Sequence, residues 1–239
     1  MPPPGIYRYL QCLSGGVAPR SRRLPVLDLT DRDFTRGQPP ARAVATVARC
    51  LRVHAEHGAP LDAFRAALVA PSTSDLVGDG GAFGRDVVGW VAAAVARGAR
   101  EVAVDLMAPP SQDEDASPRD DRGREELCLE LASDAFEARN SLEHLALGRI
   151  SLRAVPLPAA GLAALRSLSL SHALDVTGEA VEGMLANCAA LESLTLTGCH
   201  LLTSVSAASE RLRCLELVRL PRLRLLQRDR RLLRSHRLG

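Results

Sequence analysis

The sequence predicts an α/β fold, a solenoid with a curved parallel sheet and irregular helices on its convex side. Three observations carry that expectation. The pattern L-x-x-L-x-L recurs at Leu142, Leu145 and Leu147, at Leu165, Leu168 and Leu170, at Leu191, Leu194 and Leu196, and at Leu212, Leu215 and Leu217. Its returns are spaced by 23, 26 and 21 residues, the period of leucine-rich repeats, in which each unit supplies one short strand and a return segment. The chain is 46% hydrophobic but only 3% aromatic, which suits many thin aliphatic layers better than one thick core. The spacing has a direct cause. Leucines at i+3 and i+5 share one face of a strand, and the leucine at i enters the same core from the preceding turn.

Taken in order, residues 1–23 are rich in Pro, Gly and Arg and are expected to be a disordered N-terminal segment. The leucine-rich-repeat domain is expected over 24–225. "RLPVLDL" has an extended pattern. "ARAVATVARCLRVHAEHG" predicts a helix with Val44, Val47, Ala48 and Leu51 on its buried stripe and Gly58 as its stop. "APLDAFRAALV" offers a faint repeat strand through Leu61, Phe64 and Ala66. "DVVGWVAAAVARG" predicts a helix burying Val87, Trp90, Val91, Ala94 and Val95, with Asp86 as N-cap and Gly98 past its end. "ARGAREVAVDL" then places Ala99, Val102 and Val104 in the repeat slots. Five strands are expected, and a sixth from the faint candidate.

Within "APPSQDEDASPRDDRGRE", three prolines and dense mixed charge predict a disordered insertion at about 108–124. "VTGEAVEGMLANC" predicts a helix capped by Thr177, with Ala180, Val181, Met184 and Leu185 on one stripe. Residues 226–239 are expected to form a basic C-terminal tail, part of a stretch with eight arginines from Arg219 onward. Those arginines lack stacking aromatics, which disfavours nucleic acid as a partner.

Composition removes several function classes. All 30 basic residues are arginine, so there is no P-loop lysine, no Schiff-base lysine and no internal lysine to accept ubiquitin. The six cysteines, Cys12, Cys50, Cys128, Cys188, Cys199 and Cys214, lack C-x-x-C spacing and are expected to be reduced thiols. The N-terminal stretch contains neither a membrane span nor a signal-peptide h-region, so the expected location is cytoplasmic or nuclear, with no membrane partner.

No catalytic, cofactor or metal site is expected. "GDGGAFGRD", Gly78 to Asp86, has the glycines of a phosphate cradle without its strand or lysine, and reads as an inter-repeat loop. "SHALD", Ser171 to Asp175, holds the residue types of a hydrolase triad, but neighbours on extended backbone cannot relay to one another. Cys199 and His200 are adjacent and so point to opposite faces, and Cys188 is expected to be buried in a repeat turn. What alternation does produce is an open face between the buried leucines. Its candidate partner-binding residues are Glu101, Asp105, His144, Ser167, Ser169, Ser193, Thr195 and Glu216, with Ala103, Ala146 and Cys214 between them.

Several stretches, in order along the chain, resemble plant F-box proteins with leucine-rich repeats of the FBD-associated group. They are "RLPVLDLTDRDF", "HAEHGAPLDAFRAAL", "VVGWVAAAVARGAREVAVDL", "LELASDAFEARNSLEHLAL", "GLAALRSLSLSHALDVTGEAVEGMLANCAALESLTLTGCHLL" and "ERLRCLELVRLPRL". The resemblance covers about Leu24 to Leu225, the repeat region, and residues 1–23 are too few to hold the roughly forty-residue helical F-box. It implies a non-catalytic protein-interaction module whose repeats hold a protein target. It also implies, as the alternative, a substrate-receptor subunit of a ubiquitin ligase, with the Skp adaptor or an intact F-box paralogue as partner.

Overall fold

The computed structural model describes residues 26–30, 39–58, 60–69, 82–107, 129–130, 141–151, 162–173, 176–207, 209, 211–228 and 235–238. The segments 1–23 and 108–124 lie outside them.

Eight parallel strands form the main sheet. In spatial order they are β1 (Val26–Leu29), β2 (Ala63–Val69), β3 (Glu101–Met107), β5 (His144–Gly148), β7 (Ser167–Ser171), β8 (Ser193–Thr197), β10 (Cys214–Val218) and β12 (Ser235–Leu238). Strand order follows chain order, as stacking of successive repeats requires. Register is uniform: Leu27, Phe64, Val102, Leu145, Leu168, Leu194 and Leu215 form one rung. Leu29, Ala66, Val104, Leu147, Leu170, Leu196 and Leu217 form the next. All of them are buried in a single core, together with Leu142, Leu165, Leu191 and Leu212 from the turns before the strands. Each such leucine contributes about 1.5–3 kcal/mol by leaving water. The repeat reading is therefore right, and the sheet extends further than the strongest motifs. β1 adds a layer at one end, and β12 adds one within the stretch read as a basic tail.

The convex side is more varied than the sequence implies. Helices α1 (Pro40–Glu56), α2 (Ala82–Ala96) and α3 (Gly178–Asn187) are joined there by short parallel pairs, β4 (Leu129–Glu130) with β6 (Ile150–Ser151), and β9 (Ser204–Ala207) with β11 (Leu225–Arg228). α1 starts with Pro at its first position and buries Ala43, Val47, Cys50, Leu51 and His54. Ala48, expected on that stripe, is exposed, and Val44 is half-buried. The stripe is rotated toward the i+3 and i+4 positions that run from Ala43 to His54. α2 begins at Ala82, so Asp86 lies inside the helix and does not cap it. The added turn is held by Phe83, buried four residues before Val87 on the same face. Its five predicted stripe residues are buried as expected.

The stop of α2 also starts the next repeat. Gly98, at φ 85°, donates its N–H to Val95 O at 2.9 Å, and Ala99 donates to Ala94 O at 3.1 Å. These are the two bonds of a Schellman cap, whose left-handed residue is most easily glycine. The cap delivers Ala99 into the core directly before β3. At α3 the predicted cap is present: Thr177 Oγ1 accepts from Ala180 N at 3.2 Å.

Two backbone ladders run along the sheet's edges. Before five of the strands, β2, β3, β5, β7 and β8, one carbonyl accepts two N–H groups from the next repeat. Asp62 O accepts from Arg100 and Glu101, Arg100 O from Glu143 and His144, Glu143 O from Arg166 and Ser167, Arg166 O from Glu192 and Ser193, and Glu192 O from Arg213 and Cys214. After the strands, Arg149, His172, Gly198 and Arg219 all take left-handed φ values between 52° and 64°. The N–H groups of the first three continue the chain of bonds, with Arg149 donating to Ser171 O, His172 to Thr197 O and Gly198 to Val218 O.

Candidate functional site

The face of the sheet opposite the helices displays every candidate partner-binding residue. Glu101, His144, Ser167, Ser193 and Cys214 share one register line, and Ala103, Ala146, Ser169, Thr195 and Glu216 the next. A third line runs from Asp105 through Gly148, Ser171 and Thr197 to Val218. Asp105 and His144 are exposed, and Glu101, Ser167, Ser169, Ser193, Thr195 and Glu216 are half-buried. The face is thus continuous and, apart from His144, lined by short side chains over β5, β7 and β8.

Its two ends differ. Toward β1 the face is charged. Arg65, between Ala63 and Ala67 on β2, donates from Nε to Glu101 Oε1 at 2.6 Å and from Nη2 to Glu101 Oε2 at 2.8 Å, and reaches Asp28 Oδ2 at 3.4 Å. This forked bond holds the Glu101 carboxyl below the usual carboxylate range. Glu101 therefore presents itself as half of an ion pair. Sequence reading missed Arg65 and Asp28 because it started the face at β3, although "AFRAALV" carries the same alternation one repeat earlier. The Asp105 side chain lies across Gly148, where an added Cβ would come within 2.9 Å of its Cγ. Gly148 thus leaves the space that the Asp105 carboxylate occupies on this face.

Toward β10 the face is hydroxylic. Ser167, Ser169, Ser171, Ser193, Thr195 and Thr197 form a block two strands wide. Glu216 accepts from Thr195 Oγ1 at 3.4 Å. The Cys214 thiol is half-buried there, unlike those of Cys50, Cys188 and Cys199, which are buried. Burial pushes the Cys188 thiol up to about 11, which keeps it protonated.

The remaining sequence candidates are dispersed. Ala82 to Asp86 of the glycine-rich stretch are helical, and Gly78 to Gly81 lie outside the described residues, as do Leu174 and Asp175 of "SHALD". The His172 ring lies against Gly198 of the next repeat. Cys188 caps the C-terminus of α3, and Cys199 is buried in the following turn. Among the described residues no group of three or more His, Cys, Asp and Glu side chains is gathered as for a metal ion. No helix among them is long and apolar enough to cross a membrane.

Over residues 87–235, well over half the chain, the sequence matches the family described as FBD-associated F-box protein At5g56370, LRR repeats. Repeats of this kind form protein–protein interaction modules. No curated protein and no solved structure matches the chain.

Proposed function

Because the chain belongs to this family of leucine-rich repeats from FBD-associated F-box proteins, we propose that it is a non-catalytic target-recognition module that grips a protein through the concave face of its sheet. On this reading the repeat domain starts near residue 24 and runs past the expected end at 225 to include β12, and the location is the cytoplasm or nucleus. The observation that carries this reading is the uninterrupted open face over β5, β7 and β8. Six hydroxyl side chains there leave room for a partner's larger ones, flanked by the Arg65–Glu101 pair and by Glu216. Short hydroxyl residues lose little side-chain entropy on binding and offer both donors and acceptors.

The test is to crosslink bound proteins to the chain and compare variants. Ser169→Arg with Thr195→Arg, which fills the face, is expected to lose the specific partner. Leu201→Arg, at an exposed position in the turn between β8 and β9, is expected to keep it. Equal capture by both would place recognition elsewhere.

A second reading, substrate receptor of a Skp-cullin-F-box ubiquitin ligase, is favoured by the F-box description of the matching family. It predicts stoichiometric capture of a purified Skp adaptor, either by this chain alone or through an intact F-box paralogue. Failure of both captures would leave the interaction module without that role.

A further inference from the structure

The residues just before the strands alternate in charge from repeat to repeat: Asp62, Arg100, Glu143, Arg166, Glu192, Arg213. Most of this ladder neutralises itself. Glu143 Oε1 accepts from Arg100 Nη2 at 2.7 Å, and Glu192 Oε1 from Arg166 Nη1 at 2.7 Å. At the β10 end the alternation runs out. Arg213 reaches Glu192 Oε2 only at 3.6 Å, and Arg211 has no ion-pair partner among the described residues. Arg166, Ala190, Glu192, Arg211 and Arg213 line a cleft of about 290 Å³. Among the described residues the lining supplies three guanidinium groups and one carboxylate, a formal net charge of about +2.

We propose that this cleft binds a phosphate monoester on a phosphorylated segment of a protein partner. The charge argument selects the ligand. A phosphoserine or phosphothreonine carries close to −2 at neutral pH and balances the cleft, whereas an Asp or Glu side chain leaves about half of its charge uncompensated. The donors are suitable as well. Each guanidinium has five N–H groups, Glu192 engages only a fraction of them, and planar forks match phosphate oxygens. Ala190 contributes only a methyl group to the lining, which leaves space for the three oxygens. Glu192 pairs with Arg166 at 2.7 Å and Arg213 at 3.6 Å in the free protein, and among the described lining residues it is the one carboxylate that opposes an arriving anion. The site lies at the strand-entry edge and uses none of the residues of the concave face, so it stands or falls separately from the recognition reading above.

The experiment uses the full chain and a degenerate phosphoserine peptide pool, its unphosphorylated counterpart and its Glu-substituted counterpart. Binding is read by fluorescence anisotropy, with each variant's fold checked by its melting curve. The phosphorylated pool is expected to bind, and the other two to bind at least tenfold more weakly. Arg211→Ala with Arg213→Ala, at exposed positions, is expected to lower that binding at least tenfold without shifting the melt. Glu192→Gln is expected to strengthen it several-fold, a gain that a merely structural role for these residues does not produce. Binding is also expected to weaken below about pH 6, where the monoester takes up its second proton. Equal binding of all three pools, or of wild type and the double variant, overturns the proposal. Inorganic phosphate binding as tightly as the phosphopeptide pool overturns the assignment to a protein segment. Loss of partner capture in the concave-face variant with phosphopeptide binding intact would separate the two sites.

Discussion

On the inner stripe of α1 sits His54, fully buried and held neutral. Burial lowers its pKa from 6.5 to about 4, with the Arg97 and His57 charges acting in the same direction. Between those two values the unfolded chain binds a proton that the folded chain refuses, so the folded state is favoured above pH 6.5 and loses that advantage as pH falls toward 4. The loss is on the order of 3 kcal/mol. Thermal melts are expected to drop steeply between these pH values, and His54→Leu to flatten the dependence; an unchanged slope in the variant would assign it to other groups. The buried position was readable, since His54 follows Cys50 and Leu51 at helical spacing, but a polar type hides within a hydrophobic count. The left-handed corners give a second prediction. Arg219, at φ 52°, stands in the slot that Gly198 fills in the preceding repeat. Relief of that backbone cost makes Arg219→Gly stabilising by about 1 kcal/mol. Gly198→Ala goes the other way by about 1–3 kcal/mol, because its Cβ would stand 2.7 Å from His172 Nδ1 at an unfavourable φ. Opposite shifts in denaturant midpoint check the pair.

At the scale of elements, strands were legible and their coverings less so. A strand here needs only a period of two and a leucine at each inward position, and every slot from Leu142 to Leu217 obeys it. Leu194→Asp is accordingly expected to cost several kcal/mol as an unpaired buried charge, while Ser193→Asp, on the open side of the same strand, is expected to leave the midpoint nearly unchanged. Comparable losses would mean that the alternation of faces is misassigned. Helix ends depend on tertiary packing that a local pattern does not contain. Asp86 has the chemistry of a cap, yet Phe83 finds a buried place one turn earlier and the helix extends to reach it. The edge ladder was invisible for a different reason. Its members are single charged residues in six separate repeats, and they become neighbours only when the carbonyl of one accepts the N–H groups of the next.

For the whole molecule, stacking in chain order means that each layer is held chiefly by the layers beside it. The layers are not alike. β2 and β3 are seven residues long and backed by α1 and α2, whereas β8 and β10 are five residues long, with α3 and the β9–β11 pair behind that end of the sheet. Longer strands and the longer helices, of 17 and 15 residues against 10 for α3, cover the β2–β3 end, so local opening is expected to begin near β10 and to stop before β3. Leu215→Ala makes this measurable, since removing most of a buried leucine costs about 2–5 kcal/mol. Amide hydrogen exchange should then rise in β8, β10 and β12, while β2, β3, α1 and α2 keep wild-type protection. A uniform rise across all eight strands would show that the solenoid opens as one cooperative unit. Loosening confined to the β10 end would place both the hydroxylic part of the open face and the arginine cleft on the more mobile layers, where ordering by a bound partner has the largest effect on stability.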